Sequence, residues 1–386
     1  MPETVSMVIA RCLVEAGCRV VTYVPGSGAT QVFDAYCALT HADLPISYHE
    51  EVAYTVAHGA GLFGSRAAAL MKAHGFAKAA NSIIDSLAAG TTAAVVALVF
   101  DDKRGRHSDS ILDAPALVKG TGIPFRVALL HDIAGELSDA FAQSEKLGLP
   151  VALVIDADEL DHETTATPVQ IPPPAGVYER DVTRMVLCPI FAEYQSRVRY
   201  AKLSGVDWRL LGRPDVPLVP EGLPEAYRDI AASYATLFDV FREIRGSVVT
   251  GDTGASTFFA FPPYDCVDVR THMGGSVALA LGAYLAGFKD AWAVTGDFSY
   301  IAAGHLGVVE ALSRGIPTKI LILDNHHALT TRGQPISPGA LDALLGGYTS
   351  YVRHISDPAN RSEVETVLRE AAGADSMRIV VAAVGG

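Results

Sequence analysis

Hydrophobic positions along the chain alternate between two spacings. Short runs rich in β-branched residues, such as Val20–Val24, alternate with stretches whose apolar residues recur at helical spacing, such as Met7–Ala16. The predicted strands of the first half are residues 20–24, 46–48, 67–71, 94–100 and 151–155. The alternation resumes near Ile230, and the predicted strands there are residues 247–250, 266–269, 292–295, 319–323 and 378–382. Because strands that alternate with helices form parallel sheets covered on both faces, the pattern predicts an α/β protein with two doubly wound parallel-sheet domains.

The middle of the chain departs from this pattern. Prolines cluster between Thr164 and Tyr227, and the apolar runs there are short. We expect an irregular linker that runs over the surface. The predicted boundaries are residues 1–163 for the first domain, 164–229 for the linker and 230–386 for the second domain.

Composition and charge exclude several classes of protein. The 386 residues carry 30 Lys+Arg against 43 Asp+Glu, a net charge of −13, which argues against nucleic acid or an anionic membrane as partner. The five cysteines form no CxxC pair, as expected in a reducing compartment. The longest apolar runs, residues 87–100 and 276–288, are shorter than the roughly 18 residues that a membrane span needs, and no signal peptide is evident. The sequence therefore predicts a cytoplasmic protein.

Two neighbouring strands of the second half end in oxygen-bearing side chains. One predicted strand leads into Gly296-Asp297, and the next ends at Asn325, which is 325 − 297 = 28 positions later. A carboxylate, an amide oxygen and a nearby backbone carbonyl would suit Mg²⁺, although an ordinary βα turn is an equal alternative. Thr250-Gly251-Asp252 repeats the residue types of Thr295-Gly296-Asp297, but 28 positions after Asp252 lies Ala280, within an apolar run. We therefore favour Asp297.

Two places in the first half carry candidate chemistry with alternatives left open. Glu50 follows a predicted strand and begins a helix, so it either complements the helix dipole or relays a proton from an apolar pocket. Ser27 lies in a tight Gly26-Ser27-Gly28 loop, where it either caps a helix or lines a cleft.

Together these features resemble a known family of enzymes. The spacing from Gly296-Asp297 to Asn325 resembles the thiamine diphosphate motif, and His49-Glu50 resembles the His-Glu pair of acetolactate synthase-type enzymes. The segments that resemble the α subunit of indolepyruvate:ferredoxin oxidoreductase include Met71-Lys72, Asp101-Asp102, His107-Ser108, Met273-Gly274 and Leu323-Asp324-Asn325. The last two also resemble phosphonopyruvate and sulfopyruvate decarboxylases, and the likeness is weakest near residues 164–230.

The resemblance implies thiamine diphosphate and Mg²⁺ as cofactors, bound between domains that commonly belong to different subunits, so we expect a homodimer or homotetramer. The implied cofactor-binding residues are Glu50, Gly254, Ala255, Ser256, Met273, Gly274, Gly296, Asp297, Phe298, Ser299 and Asn325. The implied metal ligands are Asp297, Asn325 and the backbone carbonyl of His327. Glu50 would hydrogen-bond to the pyrimidine of the cofactor, and Met273 would support its bent conformation. Phe298 departs from the family, which has glycine at that position.

The resemblance also suggests the reaction. His74 and His107 follow predicted strands and suit proton transfer near neutral pH, and Ser27 lies where benzoylformate decarboxylase-like enzymes line their substrate pocket. The ferredoxin oxidoreductase subunit ends in a cysteine-rich domain with two iron–sulfur clusters, and this sequence has no cysteine-rich run. We expect non-oxidative decarboxylation of a 2-oxo acid to an aldehyde, with carboligation left open. The alternatives are the catalytic subunit of a 2-oxoacid oxidoreductase with a separate iron–sulfur partner, and a non-catalytic cofactor-binding subunit, against which Glu50 argues.

Overall fold

The computed structural model describes residues 3–164, 171 and 176–384. The chain divides into two compact units. The first unit comprises Met1–Tyr178 and Arg199–Asp207, and the second comprises Glu179–Val198 and Trp208–Gly386. The segment predicted as a linker therefore contributes to both units, and its Pro168 and Pro172–Pro174 lie outside the described residues.

The first unit alternates strands with helices, as its hydrophobic pattern predicts. In chain order its elements are β1 (Glu3–Thr4), α1 (Val5–Glu15), β2 (Val20–Tyr23), α2 (Ala29–Thr40), α3 (Glu50–Leu62), β3 (Ala67–Lys72), α4 (Ala73–Lys78), α5 (Ala80–Ala89), β4 (Val95–Asp101), α6 (Ala114–Thr121), β5 (Phe125–Val127), α7 (Ile133–Leu147), β6 (Val151–Asp156) and β7 (Glu163–Thr164).

Five of these strands form one parallel sheet in the order β2-β3-β4-β6-β5. The central strand β4 is buried along its whole length, which explains why its sequence is almost continuously apolar. Since β2, β3 and β4 are neighbours, the segments that follow them meet at one edge of the sheet.

The second unit repeats this architecture. The remaining elements are α8 (Val182–Met185), α9 (Ala192–Leu203), α10 (Arg228–Ser233), α11 (Ala235–Ile244), β8 (Val249–Gly251), β9 (Val269–Arg270), α12 (Ser276–Leu285), β10 (Trp292–Gly296), α13 (Asp297–Ser299), α14 (His305–Ser313), β11 (Lys319–Asp324), β12 (His327–Ala328), β13 (Gln334–Pro335), α15 (Ala340–Leu345), β14 (Val352–Ile355), α16 (Arg361–Gly373) and β15 (Arg378–Ala383). A π-helical turn at Tyr300–Gly304 joins α13 to α14.

The six-stranded sheet of the second unit has the order β14-β15-β11-β10-β8-β9, and every pairing in it is parallel. The predicted α/β fold with a parallel sheet in each half is therefore confirmed. Strands β11, β10 and β8 lie side by side, so their carboxyl ends bring together segments that are far apart in sequence.

One predicted strand of the first half is wrong. Residues 46–48 are not a strand: Ile46 is 38% exposed, Tyr48 is 62% exposed, and the backbone N–H of Ser47 donates a single hydrogen bond to Tyr23, at 2.8 Å. Pro45 supplies no N–H, so this segment runs beside the edge strand β2 without forming a ladder. The fifth strand of the sheet is instead β5, a three-residue strand that is only partly buried and gives little apolar signal.

No helix within the described residues is both long and apolar enough to cross a membrane.

Candidate functional site

A pocket opens at the carboxyl edge of the second unit's sheet. It encloses about 510 Å³, counting its open mouth. Its lining includes nine of the residues proposed from the sequence: Gly254, Ala255, Met273, Gly296, Asp297, Phe298, Ser299, Asn325 and His327. Ligands of open parallel sheets bind at this edge, and the pocket is the place where the second-half candidates converge.

Asp297 lies at the base of this arrangement. Its side chain is only 2% exposed and accepts hydrogen bonds from three backbone amides: Phe298 at 2.7 Å, Asn325 at 3.0 Å and His326 at 2.6 Å. The end of β10 is therefore bonded directly to the turn that follows β11. The two strand ends that the sequence predicts to be neighbours are in contact.

A second carboxylate stands beside Asp297. Ligand atoms of Asp297, Asp324 and His326 lie within 4.8 Å of one another, and His326 Nδ1 is 3.0 Å from Asp324 Oδ1. Burial raises the pKa of Asp297 above its usual value, and the adjacent Asp324 raises it further. A divalent cation would relieve both effects, because it compensates the charge that burial and the neighbouring carboxylate oppose.

Asn325 and His327 form a tight turn after β11. The backbone N–H of His327 donates to Asn325 Oδ1 at 3.0 Å, and His327 Nδ1 lies 2.8 Å from the carbonyl oxygen of Asn325. His326 between them has a φ of 61°, a left-handed conformation that costs a non-glycine residue about 1–2 kcal/mol. This turn directs the amides of Asn325 and His326 towards Asp297.

The loop after β8 forms another wall of the pocket. Gly254 and Ala255 line the pocket, whereas Ser256 is fully buried and its Oγ donates inward to the carbonyl of Asp252 at 2.7 Å. The Oγ of Ser299 donates to the carbonyl of Thr253 at 2.9 Å, which ties this loop to the start of the helix after β10.

Apolar side chains flank the mouth of the pocket. Met273 is 38% exposed and Phe298 is 43% exposed, and both line the pocket. Gly274, which was also a candidate, does not line it: the residue has a φ of 79°, and a Cβ there would lie 2.5 Å from the Cβ of Ala303. Its role here is to let the Met273 turn pack closely against the π-helical segment.

The candidates of the first unit gather at the corresponding edge of its own sheet. Ser27, His74 and His107 follow β2, β3 and β4 respectively. The Lys72 Nζ donates to the carbonyl of His107 at 3.1 Å, and His74 Nε2 lies 2.9 Å from the Oγ of Ser110. The loop after β4 is thus held against the end of β3.

The side chains of Ser27, His74 and His107 differ in their exposure to solvent. His107 is exposed, whereas Ser27 and His74 are half-buried. Ser27 does not cap α2, because the cap residue is Gly28, whose N–H donates to Gln31 Oε1 at 2.8 Å. The capping alternative for Ser27 is therefore wrong.

Glu50 occupies the first position of α3. Its Oε2 lies 3.0 Å from the Nζ of Lys78, and the carboxylate packs against Gly75, where a Cβ would lie 2.7 Å from Glu50 Cγ and 3.0 Å from Oε1. The neighbouring Glu51 instead accepts from the side-chain amide of Asn81 at 3.0 Å, and burial raises its pKa. Helix α4 therefore fixes the position of Glu50 from two sides.

Replacing Gly75 with alanine is expected to displace Glu50. A methyl group at that distance forces either the carboxylate or α4 to move, and a shift of about 1 Å in a catalytic group can cost roughly 100-fold in rate. If Glu50 relays a proton, as the resemblance implies, turnover measured under saturating cofactor should fall for Gly75→Ala, whereas the matched change Gly120→Ala, in a helix with open space around it, should leave turnover unchanged. Equal rates for the two variants would contradict a positional role for Gly75.

Three residues in or beside the pocket of the second unit are direct neighbours of the candidates but were not assigned a role from the sequence. Thr253 lines it directly before Gly254, and Asp324 and His326 flank Asn325 on either side. The signal was present in each case, because all three are immediate neighbours of residues already singled out. What the sequence could not show is which neighbours turn towards Asp297.

Comparisons with known proteins bear on this site. Residues 252–381 match the family Thiamine pyrophosphate enzyme, C-terminal TPP binding domain. The indolepyruvate oxidoreductase subunit IorA of Archaeoglobus fulgidus is 28% identical over 240 residues, which cover 57% of this chain and 38% of that protein. The chain thus spans well under half the length of this relative.

Two solved structures are similar over the length of the chain. One is of a thiamin diphosphate-dependent enzyme isolated from Mycobacterium smegmatis, with a TM-score of 0.67, 15% identity and coverage of 100% of both chains. The other is the thiamine diphosphate-dependent 4-hydroxybenzoylformate decarboxylase of Rhodococcus jostii, with a TM-score of 0.66, 16% identity and coverage of 99% of both chains. At these identities the likeness shows the fold.

Proposed function

We propose that the chain decarboxylates a 2-oxo acid to an aldehyde, using thiamine diphosphate and Mg²⁺, on the premise that residues 252–381, which match the C-terminal TPP binding domain of thiamine pyrophosphate enzymes, bind that cofactor. The observation that carries the proposal is the pocket in which Asp297 and the Asn325 turn meet at neighbouring strand ends. The similarity to a thiamine diphosphate-dependent decarboxylase supports this choice of reaction.

The donor set of the pocket fits the proposed cofactor. Asp297, Asn325 and the carbonyl of His327 are hard oxygen ligands, which Mg²⁺ prefers together with phosphate oxygens. The small residues Gly254 and Ala255 let backbone N–H groups approach a diphosphate. The half-exposed Met273 supplies an apolar surface at the mouth, where it would support the organic part of the cofactor.

The chemistry divides between the cofactor and the protein. When bound, thiamine diphosphate supplies the electron sink that makes loss of CO₂ from a 2-oxo acid feasible. Glu50 would hold the hydrogen bond to the pyrimidine ring nitrogen, and Gly75 and Lys78 keep its carboxylate in place. Ser27, His74 and His107 would contact the substrate and move protons to and from it near neutral pH.

Replacing His107 with alanine is expected to slow product formation by about 100-fold without weakening cofactor binding. The side chain is exposed, and the contacts of this residue with Asp102 and Lys72 are made by its backbone, so the loop should keep its structure. His131→Ala, at an exposed histidine in the turn after β5, is the matched control and should behave like the wild type. An unchanged rate for His107→Ala would remove this residue from the site.

The proposed reaction is tested by its products. The purified chain, loaded with thiamine diphosphate and Mg²⁺, should release CO₂ and an aldehyde from an aryl, indolyl, phosphono or sulfo 2-oxo acid without an added electron acceptor. Turnover that requires coenzyme A and ferredoxin would contradict this function.

The similarity to IorA favours a second candidate function, the catalytic subunit of a 2-oxoacid oxidoreductase. That function predicts no aldehyde from the isolated chain, and acyl-CoA formation once an iron–sulfur partner and ferredoxin are supplied. A subunit that retains the cofactor but turns over no 2-oxo acid in either assay would be non-catalytic.

A further inference from the structure

Asp252, the repeat of Asp297 in sequence, occupies a different environment. The residue is 0% exposed and directly precedes Thr253, Gly254 and Ala255, which line the pocket. Its Oδ2 accepts from the Oγ1 of Thr295 at 2.7 Å and from the Oγ of Ser276 at 3.0 Å. Thr295 belongs to the second repeat, two residues before Asp297, so the two Thr-Gly-Asp segments are joined by a hydrogen bond.

The backbone of Asp252 is held as firmly as its side chain. Its carbonyl accepts from the Nε of Arg270 at 3.1 Å and from the Oγ of Ser256 at 2.7 Å. Four contacts thus connect Asp252 to β9, to β10, to the start of α12 and to its own loop. A side chain without an acceptor oxygen at this position would lose the two contacts that the carboxyl group makes with β10 and the start of α12.

The surroundings of the second carboxyl oxygen of Asp252, Oδ1, indicate whether the group is protonated. Oδ1 is sealed from water and has no hydrogen-bond partner of good geometry among the described residues, although the backbone N–H of Gly274 favours the ionised form of the carboxyl group as a hydrogen-bond donor. An ionised oxygen in such a place costs more free energy than a protonated one, because burial penalises a charge more than an unpaired hydroxyl group. Burial raises the pKa of Asp252 to about 7, and the hydroxyl groups of Thr295 and Ser276 and the charge of Arg270 oppose that rise.

Other titratable groups lie on the elements around Asp252. They are Arg270 on β9, His272 in the turn before α12 and Asp297 after β10. Of these, Arg270 donates from its Nε to the backbone carbonyl of Asp252, and its charge lowers the pKa of Asp252, although no ion pair to the carboxylate is present among the described residues. An anion bound against Thr253–Ala255 would therefore meet an additional negative charge whenever Asp252 is ionised.

We propose that Asp252 is a positioning residue of the cofactor site that acts as a neutral carboxylic acid, so that binding of the diphosphate is accompanied by uptake of up to one proton from solvent wherever Asp252 is ionised in the free chain. This inference rests on the proposed function, because it takes the diphosphate to lie against the loop that Asp252 holds. Affinity should then fall as the pH rises through the range in which Asp252 loses its proton.

The test is calorimetric titration of the full chain with thiamine diphosphate and Mg²⁺ at pH 6, 7 and 8, in two buffers of different ionisation enthalpy. In the wild type, affinity should fall about tenfold from pH 6 to pH 8, as expected for one group with a pKa near 7 in the free protein. Asp252→Asn should not show this fall in affinity. Its proton uptake on binding should be smaller than that of the wild type by the contribution of Asp252. The cofactor and Asp297 titrate in both proteins, so their contributions cancel when the pH profile of Asp252→Asn is subtracted from that of the wild type.

Asp268→Asn is the matched control. Asp268 is also buried, but it pairs with Arg180 and Arg245 and accepts from the amide of Val249 at the opposite end of β8. This variant should keep the pH dependence of the wild type even if it is less stable. An Asp252→Asn variant that retains the wild-type pH dependence would overturn the proposal, and so would an equal loss in both variants.

Unfolding of the cofactor-free chain tests the charge state independently. Between the unfolded pKa, near 4, and the folded value of about 7, the folded protein binds one more proton than the unfolded chain, so its stability falls with rising pH and is constant above pH 7. The melting temperature of Asp252→Asn relative to the wild type should therefore rise by several degrees from pH 5 to pH 8. Parallel curves for the two proteins would show that Asp252 is ionised in the folded chain.

Thr295→Val is a second variant in which the pH dependence of cofactor affinity can be measured if Asp252→Asn does not fold. Loss of the Thr295 hydroxyl removes a donor that favours the ionised carboxylate, so the fall in affinity should move to higher pH. An unchanged pH profile would overturn the proposal. Failure of the wild type to bind the cofactor at any pH would overturn the proposed function as well, whereas normal binding with an unaltered profile in the variants overturns this inference alone.

Discussion

An Asp297→Ala variant is expected to lose Mg²⁺-dependent retention of thiamine diphosphate, with affinity reduced by at least about 100-fold. The carboxylate is buried, stands beside Asp324 and would be the charged ligand common to the metal and to the turn after β11. The substitution also leaves three backbone amides, those of Phe298, Asn325 and His326, without their acceptor. Retention is measured by calorimetry with and without Mg²⁺.

Two variants separate loss of the ligand from loss of the fold. Unsatisfied buried amides cost about 1–3 kcal/mol each, so Asp297→Ala can lose stability as well as the metal. Asp297→Asn removes the charge but keeps one oxygen, which can still accept from the amides of Asn325 and His326, so that only the amide of Phe298 loses its acceptor. This variant should also fail to retain the cofactor. Asp252→Asn at pH 6 should retain it. Equal losses at positions 252 and 297 would show that the preference for Asp297 is wrong.

A Glu50→Gln variant should bind the cofactor almost normally but turn over more slowly by about 10²- to 10⁴-fold, the usual contribution of a positioned proton-transfer group. Glutamine has the same shape and can still lie against Gly75, but it cannot hold the proton or the ion pair with Lys78. Turnover is followed as CO₂ release at saturating cofactor, and binding is measured separately.

Glu51 supplies the control for this prediction. It lies in the same first turn of α3, so Glu50→Gln and Glu51→Gln remove equal charge from the helix N-terminus. The side chain of Glu51 is engaged by Asn81, away from the contacts of Glu50 with α4. Glu51→Gln should therefore keep most of the turnover. Similar rates for the two variants would indicate that Glu50 only complements the helix dipole.

The sequence predicted those parts of the fold that have a strong local signal. Buried parallel strands such as β4 and β10 are continuous apolar runs, and the residues that follow them lie at the sheet edge by necessity. That is why Asp297 and Asn325 could be paired before any coordinates were known. The strand predicted at residues 46–48 was wrong because Ile46, Ser47 and Tyr48, which alternate between apolar or aromatic and polar side chains after a proline, resemble an edge strand whether or not they form a ladder.

The contacts between distant segments could not be predicted. The partners of Glu50 come from α4, more than twenty positions later, and neither Gly75 nor Lys78 carries a pattern that points to it. The repeat at Asp252 looked like a chance similarity, because spacing alone says nothing about the hydrogen bond from Thr295. Side-chain direction at a strand end depends on the turn that follows, as the left-handed His326 shows.

Asp297 and the turn after β11 are proposed to hold together a divalent cation that anchors the diphosphate of the cofactor. A crystal structure of the chain with thiamine diphosphate and Mn²⁺, which accepts the same oxygen ligands as Mg²⁺, tests it most directly through the anomalous signal of the metal. We expect one anomalous peak, from a metal ion bonded to the Asp297 carboxylate, the Asn325 amide oxygen and the His327 carbonyl. A manganese ion bound elsewhere, or cofactor density without metal at these residues, would contradict it.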